Sequence, residues 1–248
     1  EVRALTFTGS TPVGKLLMAQ CANTVKRMGL ELGGNAPFIV FDDADLDAAV
    51  EGAVASKFRN AGQTCVSANR FYVQEGIHDA FAARLAERMA GFRMGHGLDE
   101  GTTQGPLITE TATRTVHAHI SDAVAKGACV YAGGGTAPGP GFVAPTLLTD
   151  VTGDMLVARE ETFGPVAPLF RFSDEADLVA QANATEFGLA AYLYARDIGR
   201  VWRVAEALEF GMVAINSGLL STEVAPFGGI KESGQGREGS RHGMDEFT

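Results

Sequence analysis

The 248-residue sequence contains only three cysteines, Cys21, Cys65 and Cys129, and no C-x-x-C pair. An odd number of widely spaced cysteines argues against a disulfide framework and against a structural zinc site. A reducing cytoplasm is therefore the expected location. The histidines add no metal-binding pattern, because His117 and His119 lie two positions apart in a predicted helix and point away from each other.

Long hydrophobic runs and excess positive charge are also missing. No apolar stretch approaches the roughly 18 residues that a membrane span needs, and no basic segment followed by an apolar one indicates a signal peptide. The 20 Lys and Arg residues stand against 30 Asp and Glu residues, for a net charge of −10, whereas a nucleic-acid binder normally has a basic face. We therefore expect no membrane and no nucleic-acid partner. The sequence begins at Glu1 inside a predicted strand, so we expect the natural N-terminus to lie upstream.

Hydrophobic residues make up 46% of the sequence, enough for one good core or for one core and part of a second. Hydrophobic patterning predicts strands at residues 2–7, 38–41, 71–74, 143–148, 166–172, 190–194 and 213–216. It predicts helices at residues 12–28, 45–60, 79–92, 109–125, 175–184 and 198–208, with glycine-rich loops at 95–105 and 133–141. Strands that alternate with helices indicate a layered α/β fold with a largely parallel sheet.

Cys65 lies in the segment Asn60-Ala-Gly-Gln-Thr-Cys-Val-Ser-Ala-Asn69, between a predicted helix and a predicted strand. A thiol at such a turn is open to a substrate, and the free backbone N–H groups of the turn can bind an oxyanion. Taken alone, however, a single cysteine is most often a small buried core residue. Position alone therefore leaves both interpretations open.

Glu31 is the one acid in the segment Leu30-Glu-Leu-Gly-Gly-Asn35. A carboxylate among apolar residues is unfavourable unless it has a partner or a role. Desolvation would raise its pKa, which suits a general base. The alternative is a solvated charge at the end of a strand.

Four blocks together carry a family resemblance: Leu-Glu-Leu-Gly-Gly at Glu31, Gly-Gln-Thr-Cys at Cys65, Glu160-Glu-Thr-Phe-Gly-Pro165, and Pro226-Phe-Gly-Gly-Ile-Lys-Glu-Ser-Gly234. In this order they resemble the aldehyde dehydrogenase family. The resemblance covers essentially the whole chain and is closest to the succinate-semialdehyde dehydrogenases, with the glutarate-semialdehyde dehydrogenases as near relatives. It implies the catalytic half of an enzyme that oxidises succinic semialdehyde to succinate with NAD or NADP.

The resemblance also assigns the chemistry. Cys65 resembles the nucleophile that forms a thiohemiacetal and then a thioester, and Glu31 resembles the base that activates water to hydrolyse the thioester. Gly9 and Ser10 resemble the turn that contacts the cofactor pyrophosphate at a helix N-terminus. By the same resemblance Glu161 binds the nicotinamide ribose, Phe163 packs beside it, and Leu32 contacts the nicotinamide through its backbone. Without the resemblance, Glu161 would be interpreted as a surface acid and Phe163 as a core residue.

Arg59 and Ser221 resemble the residues that hold the distal carboxylate of the substrate, and Phe227 is expected to line the substrate channel. An arginine fork matches a carboxylate and a hydroxyl adds a hydrogen bond. Arg59 could instead be a solvated cation at a helix end. The position two residues after the nucleophile, a second cysteine in many of these relatives, is Ser67 here, so no redox switch by that pair is expected.

The resemblance further implies an organisation and a set of rivals. Residues 1–33 correspond to the end of a Rossmann-like NAD(P)-binding domain, residues 34–231 to the catalytic domain, and residues 232–248 to a segment that returns toward the cofactor domain. The family members are about twice this long and assemble as dimers or tetramers. The rivals are a CoA-acylating dehydrogenase, a phosphate-ester reductase of the same fold, another aldehyde dehydrogenase, and an inert catalytic-domain fragment.

Overall fold

A central sheet of seven strands organises the computed structural model, which describes residues 2–248. The strands of all sheets, in chain order, are β1 (Ala4–Thr8), β2 (Arg27–Glu31), β3 (Ala36–Val40), β4 (Ala68–Gln74), β5 (Cys129–Gly133), β6 (Thr146–Thr149), β7 (Val166–Phe172), β8 (Phe187–Gly188), β9 (Ala190–Tyr194), β10 (Met212–Ile215), β11 (Ile230–Lys231) and β12 (Gly234–Gln235). The helices are α1 (Thr11–Ala22), α2 (Leu46–Lys57), α3 (His78–Ala90), α4 (Glu110–Ala125), α5 (Leu156–Arg159), α6 (Glu175–Asn183) and α7 (Ile198–Ala207). Short 3₁₀ turns occur at Arg59–Gly62, Glu75–Ile77 and Arg241–Met244.

The central sheet has the order β10-β9-β3-β4-β7-β6-β5. Its neighbouring strands are parallel except at the edge, where β5 pairs antiparallel with β6. This arrangement confirms the predicted α/β fold with a largely parallel sheet. All five residues of β3 are buried, as expected for a parallel strand that is covered on both faces.

Each face of the central sheet has its own hydrophobic core. Phe38 and Val40 of β3 pack with buried residues of α2 and α3, whereas Ile39 packs with buried residues of α4, α6 and α7. Alternate residues of a strand point to opposite faces, so β3 contributes to both cores. Among residues 2–248, no helix combines the length and hydropathy that a membrane span requires.

A second, three-stranded sheet has the order β1-β2-β12, with β1 and β2 parallel and β12 antiparallel to β2. The predicted helix at residues 12–28 is wrong in its second part, because α1 ends at Ala22 and β2 begins at Arg27. A turn separates the two elements, with Val25 at φ 48°. Met28 and Leu30 pack with Cys21 of α1 in the core of this sheet. Their apolar spacing continues the pattern of α1, although both residues lie in β2.

Candidate active site

Every site residue predicted from the sequence lines one cavity of about 630 Å³. The cavity lies between the three-stranded sheet and the loops at the ends of α2 and α5. Its lining includes Gly9, Ser10, Glu31, Leu32, Arg59, Cys65, Glu161, Phe163, Ser221 and Phe227. The fold therefore brings together residues from all four sequence blocks, which are far apart along the chain.

Cys65 lies in the turn between the 3₁₀ segment Arg59–Gly62 and β4. Its side chain is half-buried, and the backbone N–H groups of Cys65 and Val66 face the sulfur. Burial raises the pKa of the Cys65 thiol, and the negative charges of Glu161 and Glu31 raise it further, whereas the two N–H groups partly oppose this. The thiol must therefore lose a proton before the sulfur can act as a nucleophile.

Glu31 ends β2, and its side chain is only 5% exposed. Its Oε2 atom is buried without a hydrogen-bond partner in the part of the chain that the structure describes. Burial raises the pKa of Glu31 to about 8; the nearby Glu238 raises it too, and Arg237 lowers it. A carboxyl group with a pKa near the working pH is suited to accept and release a proton.

Glu161 packs against the paired glycines that follow Glu31. The N–H of Gly34 donates to Glu161 Oε1 at 3.1 Å. A Cβ atom added to Gly33 would lie 2.8 Å from Glu161 Oε2, and one added to Gly34 would lie 2.4 Å from the carbonyl oxygen of Cys65. The paired glycines are therefore required because the backbone at this point touches both Glu161 and the Cys65 turn.

The ionisation of Glu161 is finely balanced. Burial raises the pKa of Glu161 to about 7, while the Gly34 N–H and the charge of Lys57 lower it.

Phe163, two residues further on, has a left-handed backbone with φ 49° and is 38% exposed at the cavity. A bulky residue in this conformation is strained, and such strain is concentrated at functional sites.

The N-terminus of α1 faces the cavity through Gly9 and Ser10. Ser10 is the cap residue, but its side chain makes no hydrogen bond to the first turn of the helix. The N–H of Gly9 donates to the carbonyl oxygen of Glu31 at 3.0 Å, which ties this turn to the end of β2. The free N–H groups of a helix N-terminus favour an anion.

Arg59 and Ser221 are both exposed and both line the cavity, together with the half-buried Phe227. Within residues 2–248 the structure gives the Arg59 guanidinium neither an ion pair nor a hydrogen bond. A guanidinium that lines a cavity without a partner remains available to an anionic ligand.

The profile of the aldehyde dehydrogenase family matches residues 1–248. This chain belongs to the aldehyde dehydrogenase family. Among its aldehyde dehydrogenase relatives, the 3-sulfolactaldehyde dehydrogenase of Pseudomonas putida is 64% identical over 247 residues, which are 99% of this chain and 51% of that protein. The NADP⁺ succinate-semialdehyde dehydrogenase of Escherichia coli is 63% identical, with the same coverage.

A solved aldehyde dehydrogenase structure agrees with the fold. The crystal structure of succinate-semialdehyde dehydrogenase from Burkholderia pseudomallei superposes with a TM-score of 0.98 at 66% identity. It is matched over 99% of this chain and 51% of its own. The chain thus spans about half the length of the aldehyde dehydrogenases that it matches.

Three buried residues of this aldehyde dehydrogenase chain support the site and were not identified from the sequence. Tyr192 on β9 donates from its hydroxyl to the carbonyl oxygen of Val66 at 2.7 Å. His119 on α4 contacts Thr162 Oγ1 at 3.1 Å. Lys57, the last residue of α2, is fully buried beneath the Cys65 turn. Tyr192 and His119 contact residues 126 and 43 positions away, so no local motif could have indicated them. Lys57 contacts nearer residues but has the position of an ordinary basic residue at a helix end.

We expect Tyr192→Phe to lower the free energy of unfolding by about 1 kcal/mol, because the buried carbonyl of Val66 loses its donor. Burial raises the pKa of Tyr192, so the hydroxyl keeps its proton across the accessible pH range. Urea denaturation measures the effect. Tyr194→Phe on the same strand is the matched control, because the structure gives its hydroxyl no hydrogen bond among the described residues. Equal losses in both variants would contradict the role of the Val66 bond.

Proposed function

We propose that this chain supplies the catalytic half of an NAD(P)-dependent aldehyde dehydrogenase that oxidises succinic semialdehyde to succinate. The single observation that carries the proposal is the cavity that holds Cys65, Glu31, Glu161 and Arg59 together. A thiol, a base with a raised pKa, a cofactor-facing acid and a free guanidinium meet there. This set matches what the family resemblance requires.

The residues near the cavity fit a dinucleotide. The N-terminus of α1 is suited to a pyrophosphate, because Ser10 leaves the first turn without a side-chain cap. Glu161 offers a carboxylate for ribose hydroxyls, and Gly33 leaves no side chain in front of it. Leu32 and Phe163 add apolar lining. Bound NAD(P)⁺ would supply the acceptor for the hydride that leaves the aldehyde carbon.

The protein side of the reaction has two halves. First, the Cys65 thiol loses its proton to solvent and the sulfur attacks the aldehyde carbon, whose oxygen takes up a proton, to form a thiohemiacetal. The N–H groups of Cys65 and Val66 stabilise negative charge at this turn. After oxidation the acyl group is a thioester on Cys65. Glu31 then takes a proton from water as the hydroxide adds to the thioester carbon. The C–S bond breaks, Glu31 returns the proton to the Cys65 sulfur, and the carboxylic acid leaves.

Arg59 and Ser221 select the aldehyde by its far end. A guanidinium binds a carboxylate through two parallel hydrogen bonds, and Ser221 adds a third. One methylene changes binding little, so glutaric semialdehyde is the nearest alternative. Because one of the most similar relatives is named for 3-sulfolactaldehyde, whose far end is a sulfonate, that aldehyde is a second candidate. Glu31 favours water over CoA as the acyl acceptor, since a thiol acceptor needs no water-activating base.

Steady-state assays of the enzyme expressed from its complete reading frame test the proposal. We expect cofactor reduction with succinic semialdehyde to exceed that with glutaric semialdehyde, with 3-sulfolactaldehyde and with a neutral aldehyde of the same length. Both NAD⁺ and NADP⁺ are compared. A preference for the neutral aldehyde would contradict the substrate assignment. Calorimetric titration of this chain with both cofactors tests the inert-fragment alternative, which tight binding would exclude.

Arg59→Ala should raise the KM for succinic semialdehyde by roughly 100-fold, because a bond to a charged partner contributes about 1.5–3 kcal/mol. The KM for a neutral aldehyde of equal length should change much less. The comparison of the two substrates in one variant is the measurement. Arg84→Ala on the exposed surface of α3, outside the cavity, is the matched control. An equal rise for both substrates would remove Arg59 from substrate selection.

A further inference from the structure

Lys57 is a buried cation that the proposed mechanism does not use. Its side chain is 0% exposed, and its Nζ donates to Asn69 Oδ1 at 3.0 Å and to Ser67 Oγ at 3.3 Å. No carboxylate forms an ion pair with it in the described part of the chain. A buried ammonium without a paired charge is unfavourable even when it is hydrogen-bonded, so the structure must compensate for it elsewhere.

Lys57 cannot act by contact with a ligand. It does not line the cavity, and its fully buried ammonium group bonds instead to Ser67 and Asn69. It can therefore act only through the residues that it bonds to and through the electric field of its charge. Ser67 and Asn69, its two partners, both follow Cys65 closely in the sequence.

A short chain of hydrogen bonds leads from Lys57 to Glu161. Lys57 donates to Asn69, Asn69 Nδ2 donates to the carbonyl oxygen of Gly34 at 3.4 Å, and the N–H of Gly34 donates to Glu161 Oε1 at 3.1 Å. A cation and an anion thus lie at the two ends of one buried network, on either side of the paired glycines. In a medium of low polarity such charges interact strongly without direct contact.

The charges around Glu161 are few. Lys57 is the cation that favours its ionised form, the Gly34 N–H favours it as well, and the Cys65 thiol faces it from the other side. The pKa values of Lys57 and Glu161 are both displaced to about 7 by burial, and each charge favours the ionised form of the other. Without the lysine, burial would favour a protonated Glu161, which is a poorer acceptor for ribose hydroxyls.

We propose that Lys57 is a positioning residue for cofactor binding, which supplies the buried counter-charge and, through Asn69 and Gly34, the placement of the Glu161 carboxylate. This inference rests on the proposed function, in which Glu161 binds the nicotinamide ribose. It assigns the role to electrostatics rather than to packing. It therefore predicts a change in the pH dependence of cofactor binding, which a structural role alone would not cause.

The test is the KM for NAD(P)⁺ between pH 6 and pH 9 in the enzyme from its complete reading frame. Lys57→Gln keeps a donor for Asn69 but removes the charge. It should raise the cofactor KM at pH 7 severalfold, because loss of the Lys57 charge raises the pKa of Glu161 above about 7 and leaves less of the carboxyl ionised. The difference from wild type should vanish toward pH 9, where Glu161 ionises without help. Ser67→Ala, which removes one acceptor and keeps the cation, should leave the pH profile unchanged.

A reference variant separates this inference from the proposed function. Glu161→Gln should raise the cofactor KM at every pH, and adding Lys57→Gln to it should cause no further rise. A cofactor KM raised equally at all pH values in Lys57→Gln, or additive effects in the double variant, would overturn the role of Lys57 while leaving the function intact. No aldehyde oxidation by the wild-type enzyme would instead refute the function. If Lys57→Gln does not fold, Asn69→Asp decides: it should raise the cofactor KM at every pH because Gly34 loses the Asn69 Nδ2 donor, and the second carboxylate beside Lys57 should add a further rise that vanishes toward pH 9. A rise that is the same at every pH would overturn the electrostatic role.

Discussion

Cys65→Ala is expected to reduce kcat for aldehyde oxidation by roughly 10⁴-fold or more, the usual consequence of removing a covalent nucleophile. The sulfur of Cys65 is the only group proposed to bond to the aldehyde carbon, and alanine provides no substitute. Because the side chain is small and half-buried, its removal should not prevent folding. Steady-state cofactor reduction by the enzyme from its complete reading frame is the measurement.

The other two thiols provide controls that match the substitution. Cys21 is buried in α1 against the three-stranded sheet, and Cys129 is exposed on the edge strand β5; neither lines the cavity. Cys21→Ala and Cys129→Ala should therefore retain turnover. If Cys65→Ala keeps activity within tenfold of the wild type, the proposed covalent mechanism is wrong.

The parts of this molecule that could be predicted from sequence are those in which the residue pattern of a single segment indicates its structure. The inner strands of the central sheet are almost entirely buried, so their apolar runs stand out in the sequence. The turn at Cys65 is bounded by a helix and a strand. The ten site residues named from the sequence share one cavity, and most of them come from short, recognisable blocks. The resemblance placed Arg59 and Ser221 together although periodicity says nothing about either.

The missed parts depend on contacts between distant segments. β2 was not predicted because Met28 and Leu30 continue the apolar spacing of α1, and only pairing with β1 makes them a strand. β5 was not predicted because it is an edge strand with mostly exposed residues. Lys57 resembles an ordinary basic residue at the end of a helix. Its buried ammonium group depends on hydrogen bonds to Ser67 and Asn69, which the sequence pattern does not indicate.

Glu31→Gln is expected to leave a burst of reduced cofactor, followed by turnover about 10²–10⁴-fold slower than in the wild type, the range attributed to general base catalysis. Glutamine keeps the size of the side chain but cannot accept a proton from water, so the thioester on Cys65 should accumulate. Rapid-mixing measurement of the burst and of the steady rate separates the two half-reactions. The loss of the burst together with the steady rate would mean that Glu31 acts mainly in the activation of the thiol.

The raised pKa of Glu31 adds two pH signatures. In the wild type the rate of thioester hydrolysis should increase as pH rises through about 8, because the ionised carboxylate is the base, and Glu31→Gln should lose this dependence. A carboxyl whose pKa is higher in the folded than in the unfolded state contributes stability below its unfolded pKa and loses it as pH rises through the folded value. The free energy of unfolding of Glu31→Gln, relative to that of the wild type, should therefore increase as pH rises from about 4.5 to about 8. Glu232→Gln, outside the cavity and paired with Lys15, is the matched control and should show neither signature. A hydrolysis rate that keeps its wild-type pH profile in Glu31→Gln would assign the base to another group.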